Sequence, residues 1–104
     1  MDSRQLLLEA ESEEAWLQWV RRYAREVPRP GWHTFHVRNS RGSDPGWPDL
    51  VLLRPPRSIY AELKTMAGRV SKSQRETLGE LEACGYETYV WRPCDRDEIA
   101  RVLA

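Results

Sequence analysis

Residues 46–65 read GWPDLVLLRPPRSIYAELKT. Residues 50–53 form an unbroken apolar run closed off by prolines, too short for a helix and suited to a strand buried on both faces. Arg54-Pro55-Pro56-Arg57 turns the chain, and residues 59–65 form the next strand. Along it Ala61 and Leu63 point one way while Tyr60, Glu62 and Lys64 point the other. A strand flanked by helices should be apolar on both sides, so an acid and a base two residues apart break the rule. Asp49 opens the preceding strand directly after the Gly46-Trp47-Pro48 turn. Hairpin-like adjacency of the two strands brings it beside Glu62.

Two carboxylates converging at a strand end are costly unless a cation neutralises them. A hard divalent ion with oxygen ligands is the natural solution, and Mg²⁺ or Mn²⁺ fits carboxylate ligation. Lys64, held close by, could orient or activate a water, or stabilise negative charge developing on a phosphate. A plain cross-strand salt bridge at a sheet edge uses the same residues, and at this point stays open beside the metal reading.

Outward from this segment the elements alternate. Residues 12–27 read as a helix, with Ser12 as N-cap, Glu13 and Glu14 in the first turn, and Trp16, Leu17, Val20, Ala24 and Val27 at helical spacing. Pro28 and Pro30 stop it. Residues 33–38 alternate as a strand, and NSRGSDPGWP is a loop. Residues 71–84 form a second main helix, with Ser71-x-x-Gln74 and Ser73-x-x-Glu76 both shaped like capping boxes. Gly85 ends it, residues 86–91 form a strand, and residues 95–103 a short helix. Residues 1–11 are an irregular arm or a short helix. The order is α-β-β-β-α-β-α, an α/β fold with a mixed four-stranded sheet flanked by helices, in one domain spanning 1–104.

Glu13 shares a helical stripe with Trp16, Leu17 and Val20, so it could reach the sheet and complete a cation site, or simply complement the helix dipole. Gln74 lies four and seven positions before Leu78 and Leu81, hence toward the sheet, and its capping-box role does not exclude a role in the site.

The chain has 104 residues, 16 Lys+Arg against 16 Asp+Glu, and no formal net charge. Neutrality does not favour a nucleic-acid binder, yet the charge is unevenly spread. The first fourteen residues hold five acids (Asp2, Glu9, Glu11, Glu13, Glu14) and one base, Arg4, whereas bases outnumber acids from Arg21 to Arg75. A local basic face is therefore open to the chain. A core this small is marginal, and a partner subunit would help it. No apolar run approaches a membrane span, and the first residues lack the features of a signal peptide. Cys84 and Cys94 show no metal-ligand spacing and read as small buried or half-buried thiols. The expectation is a cytoplasmic protein without a membrane partner or a small-molecule cofactor.

Gly46, Pro48, Asp49, Glu62, Lys64, Gly68, Ser71 and Gln74 stand in the order and spacing of a known signature, and Ser12-Glu13 opens the first helix in the matching place. The chain resembles the VRR-NUC (virus-type replication-repair nuclease) family of the PD-(D/E)xK nuclease superfamily, over residues 12 to 104, as a stand-alone, phage-type member. The resemblance implies the restriction-endonuclease-like core and metal-dependent cleavage of DNA phosphodiesters in the cytoplasm of a bacterium or a phage-infected host. Carried over residue by residue, it implies Asp49 and Glu62 as metal ligands, joined by the Leu63 carbonyl and by Glu13 directly or through water. Lys64 would position the attacking water and Gln74 would support the site from the second helix. The Pro28-Arg29-Pro30 segment departs from the family pattern and loosens the register to Glu13, leaving Glu14 as its substitute.

Arg38, Arg41, Lys72 and Arg75 flank the site and could grip phosphates, a role that needs no sequence reading. His33 and His36 read as strand residues, with His36, on the face of Arg38, the one placed to line the site. Trp16 and Trp91 belong to apolar patterns and to the core. Trp47 is a packing wedge under its loop or a stacking surface for an unpaired base. Trp19 and Trp32 are the aromatics expected at the surface, where they would suit a dimer interface.

The leading expectation is an Mg²⁺- or Mn²⁺-dependent structure-selective DNA endonuclease, similar to a Holliday-junction resolvase and acting as a homodimer. One small domain carries one site, and a four-way junction needs paired cuts. The alternatives are a flap, nicking or restriction-like endonuclease of the same fold, a non-catalytic DNA-binding or assembly module, and a structural protein with a salt-bridged sheet edge.

Overall fold

Two helices precede the first strand. The computed structural model describes residues 2–37 and 45–104, with α1 (Ser3–Ala10), α2 (Glu13–Glu26), β1 (His33–His36), β2 (Leu50–Arg54), β3 (Arg57–Leu63), α3 (Lys72–Ala83), β4 (Glu87–Trp91) and α4 (Arg96–Leu103). A 3₁₀ turn, Pro93–Asp95, leads into α4. Ser12 caps α2, accepting from the Ala15 N–H. Ser71 and Gln74 close the capping box of α3, the first of the two that the sequence offers. The arm before α2 is the short helix of the two options.

The four strands lie in the order β1-β2-β3-β4, antiparallel up to β3 and parallel between β3 and β4. The turn at Pro55-Pro56 sets Leu50 opposite Ala61, which puts Asp49 next to the Glu62 end of β3. α2 and α4 close one face of the sheet. Trp16, Leu17, Val20, Ala24, Ile99 and Leu103 meet Leu50, Leu52, Ile59, Ala61, Leu63 and Trp91 there. Each buried side chain of this size contributes about 1.5–3 kcal/mol. Trp16 and Trp91 are fully buried, as the apolar pattern requires. Among the described residues no helix is long and apolar enough to cross a membrane.

The other face is thinly covered, and this corrects the expectation that residues 50–53 are buried on both sides. α3 lies along that side over β3 and β4, but none of its residues is buried. Phe35 of β1 and Leu53 of β2 stand on this face at 59% and 40% exposure. Val27 is also exposed, because the helix stops there and the chain turns away.

The surface tryptophans are a second correction. Trp32 is buried: its indole N–H donates to the Leu103 carbonyl at 3.0 Å, and the Arg54 and Arg57 guanidinium groups lie over its ring at 4.5 and 5.0 Å. Two long cations screen the indole by a cation–π contact that no local apolar pattern announces. Trp19 is half-buried, stacked between Trp16 and Tyr23 with Arg96 at 4.6 Å. The thiols depart from expectation as well. Cys84 and Cys94 are both free and exposed, since Cys84 ends a helix that buries nothing and Cys94 lies in the 3₁₀ turn.

Candidate active site

At the Asp49 end of the β2–β3 hairpin the sheet opens into a cavity of about 300 Å³. It is lined by Asp49, Glu62, Leu63 and Lys64 from the hairpin, by Gln74 from α3, and by Glu13, Glu14 and Leu17 from α2. His36 and Val37 complete it from the end of β1. The loop that delivers Asp49 needs a glycine. Gly46 has φ +93°, and a Cβ there would collide with the Ser73 carbonyl of α3. Trp47 beside it is 43% exposed and packs edge-on against Tyr60 at 6.1 Å, so it wedges the loop while keeping part of its ring open.

Glu62 is the centre of the site. Its side chain is 2% exposed, and its two oxygens are treated unequally. Oε1 accepts from Gln74 Nε2 at 3.1 Å and lies 3.8 Å from Lys64 Nζ. Oε2 is buried and, among the described residues, has no hydrogen-bond partner. Asp49 stands beside it and uses Oδ2 to accept the Leu63 N–H at 3.1 Å. Burial first, and then the Asp49 carboxylate, push the Glu62 carboxyl up to about 9, while Lys64 opposes the shift. Such a carboxylate takes either a proton or a metal ion.

Gln74 fills both roles open to it. Its Oε1 accepts the Ser71 N–H at 2.8 Å, closing the capping box, and its Nε2 donates to Glu62. The helix cap thereby sets the rotamer that reaches the acid.

The fit of a hard divalent ion can be judged from the oxygens present. Two adjacent carboxylates, one with a buried oxygen lacking a donor, make a site that a cation would complete. Among the described residues no three His, Cys, Asp or Glu side chains meet closely enough to bind an ion by themselves. Glu13 and Glu14 line the cavity at the α2 N-terminus without joining the pair. Glu14 accepts from Gln18 Nε2 at 2.9 Å. Mg²⁺ commonly takes one or two carboxylates and keeps several waters, which suits this arrangement.

Of the phosphate-gripping candidates, Lys72 and Arg75 do not line the cavity. Lys72 is exposed and 3.8 Å from Glu76, and Arg75 donates to the Val70 carbonyl at 2.8 Å. Both stand on the first turns of α3 beside Gln74. Arg38 and Arg41 lie outside the described residues. Leu17 and Val37 line the cavity although sequence reasoning gave them no part in it. Leu17 had a signal, its i+4 relation to Glu13, whereas Val37 had none.

The VRR-NUC domain profile matches residues 1–93. A solved structure described as a VRR_NUC domain protein superposes with a TM-score of 0.64 at 20% identity, over 80% of this chain and 79% of that one. This second likeness is one of fold. No curated protein matches the chain.

Proposed function

Since the chain belongs to the VRR-NUC domain family of nucleases, we propose that it is a divalent-metal-dependent DNA endonuclease, acting on branched DNA as a homodimer. The observation that carries the reading is the buried Oε2 of Glu62, beside a second carboxylate and without a donor among the described residues. A structural salt bridge would leave no such oxygen unsatisfied. Asp49 and Glu62 are the side chains that would hold the ion, with the Leu63 carbonyl, and Glu13 or Glu14 through water. Mg²⁺ or Mn²⁺ held there supplies Lewis-acid polarisation of the scissile phosphate and lowers the pKa of water.

The chain's own groups then divide the remaining work. Lys64 brings a cation into the cavity beside Glu62. From there its ammonium donates to a water and opposes negative charge growing on the phosphate. Gln74 fixes Oε1 of Glu62, so that Oε2 remains the oxygen free to ligate. Leu17 and Val37 give the cavity an apolar wall. Lys72 and Arg75, on the rim, serve backbone phosphates without reading sequence.

Branched DNA and the homodimer rest on the need for two cuts from a domain with one site. The exposed aromatics that such an interface could use are Phe35, Trp47 and Tyr86, in place of Trp19 and Trp32. The test is gel cleavage of labelled four-way junction, flap, single-stranded and linear duplex DNA, with Mg²⁺, Mn²⁺ or EDTA, beside Asp49→Ala and Lys64→Ala. Paired symmetric cuts in the junction, abolished by EDTA and by either substitution, are the expected result. Cutting of flaps or duplex instead discards the junction preference and keeps the site. No metal-dependent cutting by folded protein would make this a DNA-binding module.

A further inference from the structure

The last residue of β4 and the one after it hold the chain at Lys64 and just beyond it. The Trp91 carbonyl accepts the Lys64 N–H at 3.0 Å, and also the Trp16 indole N–H at 3.0 Å. Arg92, next in the chain, reaches the turn that follows Lys64. Its Nη1 lies 2.6 Å from the carbonyl oxygens of both Thr65 and Gly68, and 3.5 Å from that of Met66. The turn is also closed on itself, with the Gly68 N–H donating to Thr65 Oγ1 at 3.1 Å.

This turn is the wall on which the Lys64 stem lies. A Cβ at Gly68 would meet Thr65 Oγ1 at 3.1 Å and Lys64 Cδ at 3.5 Å. Carbonyl oxygens converging on one point repel one another unless a donor stands between them. A charged, planar guanidinium serves there better than a single ammonium. Arg92 itself is not among the residues lining the cavity.

We propose that Arg92 is the positioning residue for Lys64, gathering the 65–68 turn so that the amine stays at the carboxylate pair. The catalytic consequence rests on the nuclease reading; the placement of Lys64 does not. The sequence supplies a convenient reporter, because Lys64 and Lys72 are its two lysines. Their side chains are 14% and 85% exposed, so Lys72 is an internal standard for amine reactivity.

The experiment is brief acetylation of folded protein with an N-hydroxysuccinimide ester, and mass spectrometry of the Lys64 and Lys72 peptides. Arg92→Gln should raise the Lys64 to Lys72 labelling ratio severalfold. In cleavage it should lower kcat by about ten- to a hundredfold. KM for DNA, and the Mn²⁺ concentration that half-shifts the melting temperature, should not move. An unchanged ratio in a variant with wild-type circular dichroism overturns the proposal. A raised KM with unchanged kcat overturns it too, and makes Arg92 a phosphate contact. Should Arg92→Gln fail to fold, Arg92→Lys keeps the charge but gives up the planar fork that spans the Thr65 and Gly68 carbonyls. It is read against the same two outcomes. A ratio raised by Arg92→Gln, beside wild-type protein that cleaves nothing, supports the placement and sinks the nuclease reading alone.

Discussion

Replacing Glu62 by Gln should change how the metal-free protein's stability depends on pH. In the unfolded chain the carboxyl titrates near its ordinary 4.5, and in the fold burial and Asp49 push it up to about 9. A folded-state pKa raised in this way contributes stability that is complete below the unfolded value. That contribution is lost as pH rises toward the folded one. Between the two values the folded state holds one proton more than the unfolded state. The linkage slope is then about 1.4 kcal/mol per pH unit. From about pH 6 to about pH 8 the wild type should lose roughly 2–3 kcal/mol that Glu62→Gln retains. Against a domain stability of about 5–15 kcal/mol that difference is easily read. The assay is urea unfolding in EDTA at several pH values, comparing the two proteins so that other titrating groups cancel. Saturating Mg²⁺ or Mn²⁺ should then stabilise the wild type by about 3 kcal/mol at a hundredfold excess over Kd, and the Gln variant far less. Parallel pH profiles for the two proteins would refute the picture of a protonated, buried Glu62 in the metal-free state. An equal response to metal would remove Glu62 from the ligand set.

Gln74→Glu keeps an acceptor for the Ser71 N–H but cannot donate to Glu62 Oε1. The capping box should survive and cleavage should fall by at least about tenfold, while Gln74→Ala should also cost about 1 kcal/mol in urea unfolding. A cleavage rate untouched by Gln74→Glu would leave the glutamine a cap only. Lys72→Ala and Arg75→Ala, on the exposed rim, should each weaken DNA binding across sequences and reduce the salt slope by about 1. A loss of kcat at saturating DNA would show that they enter the cavity. Trp16→Phe removes the indole N–H from the Trp91 carbonyl and should cost roughly 1–3 kcal/mol in denaturant unfolding, with circular dichroism retained. No change in the unfolding midpoint would mean that this bond contributes nothing to stability.

The meeting of Asp49 with Glu62 was legible because local rules overdetermine it. The apolar run of β2, the alternation in β3 and the turn at Pro55-Pro56 between them admit one register, and that register pairs Leu50 with Ala61. Ser71 and Gln74 were legible for a similar reason, three residues being enough to define a capping box. The burial of Trp32 was not. Its screen is built from Arg54, Arg57 and the Leu103 carbonyl, the last 71 residues away, and local periodicity carries nothing about such partners. The grip of Arg92 on the 65–68 turn was hidden for a further reason, since its acceptors are backbone carbonyls that every residue possesses.

What marked the site in the sequence was a violation, and the structure gives that violation a physical size. An acid on a strand under helices should have been apolar or fully paired. Glu62 is neither, because Gln74 and Lys64 both attend Oε1 and no donor among the described residues attends Oε2. Stability alone would favour Leu or Gln at this position. A fold that keeps a carboxylate there, beside a second one, is less stable than it needs to be, which the proposed cation would offset. The same asymmetry explains why neutrality of the whole chain says little about its partner. On the proposed reading the charge that matters is local: a carboxylate pair for a cation within the cavity, with Lys64 beside it, and Lys72 and Arg75 outside for the phosphate backbone.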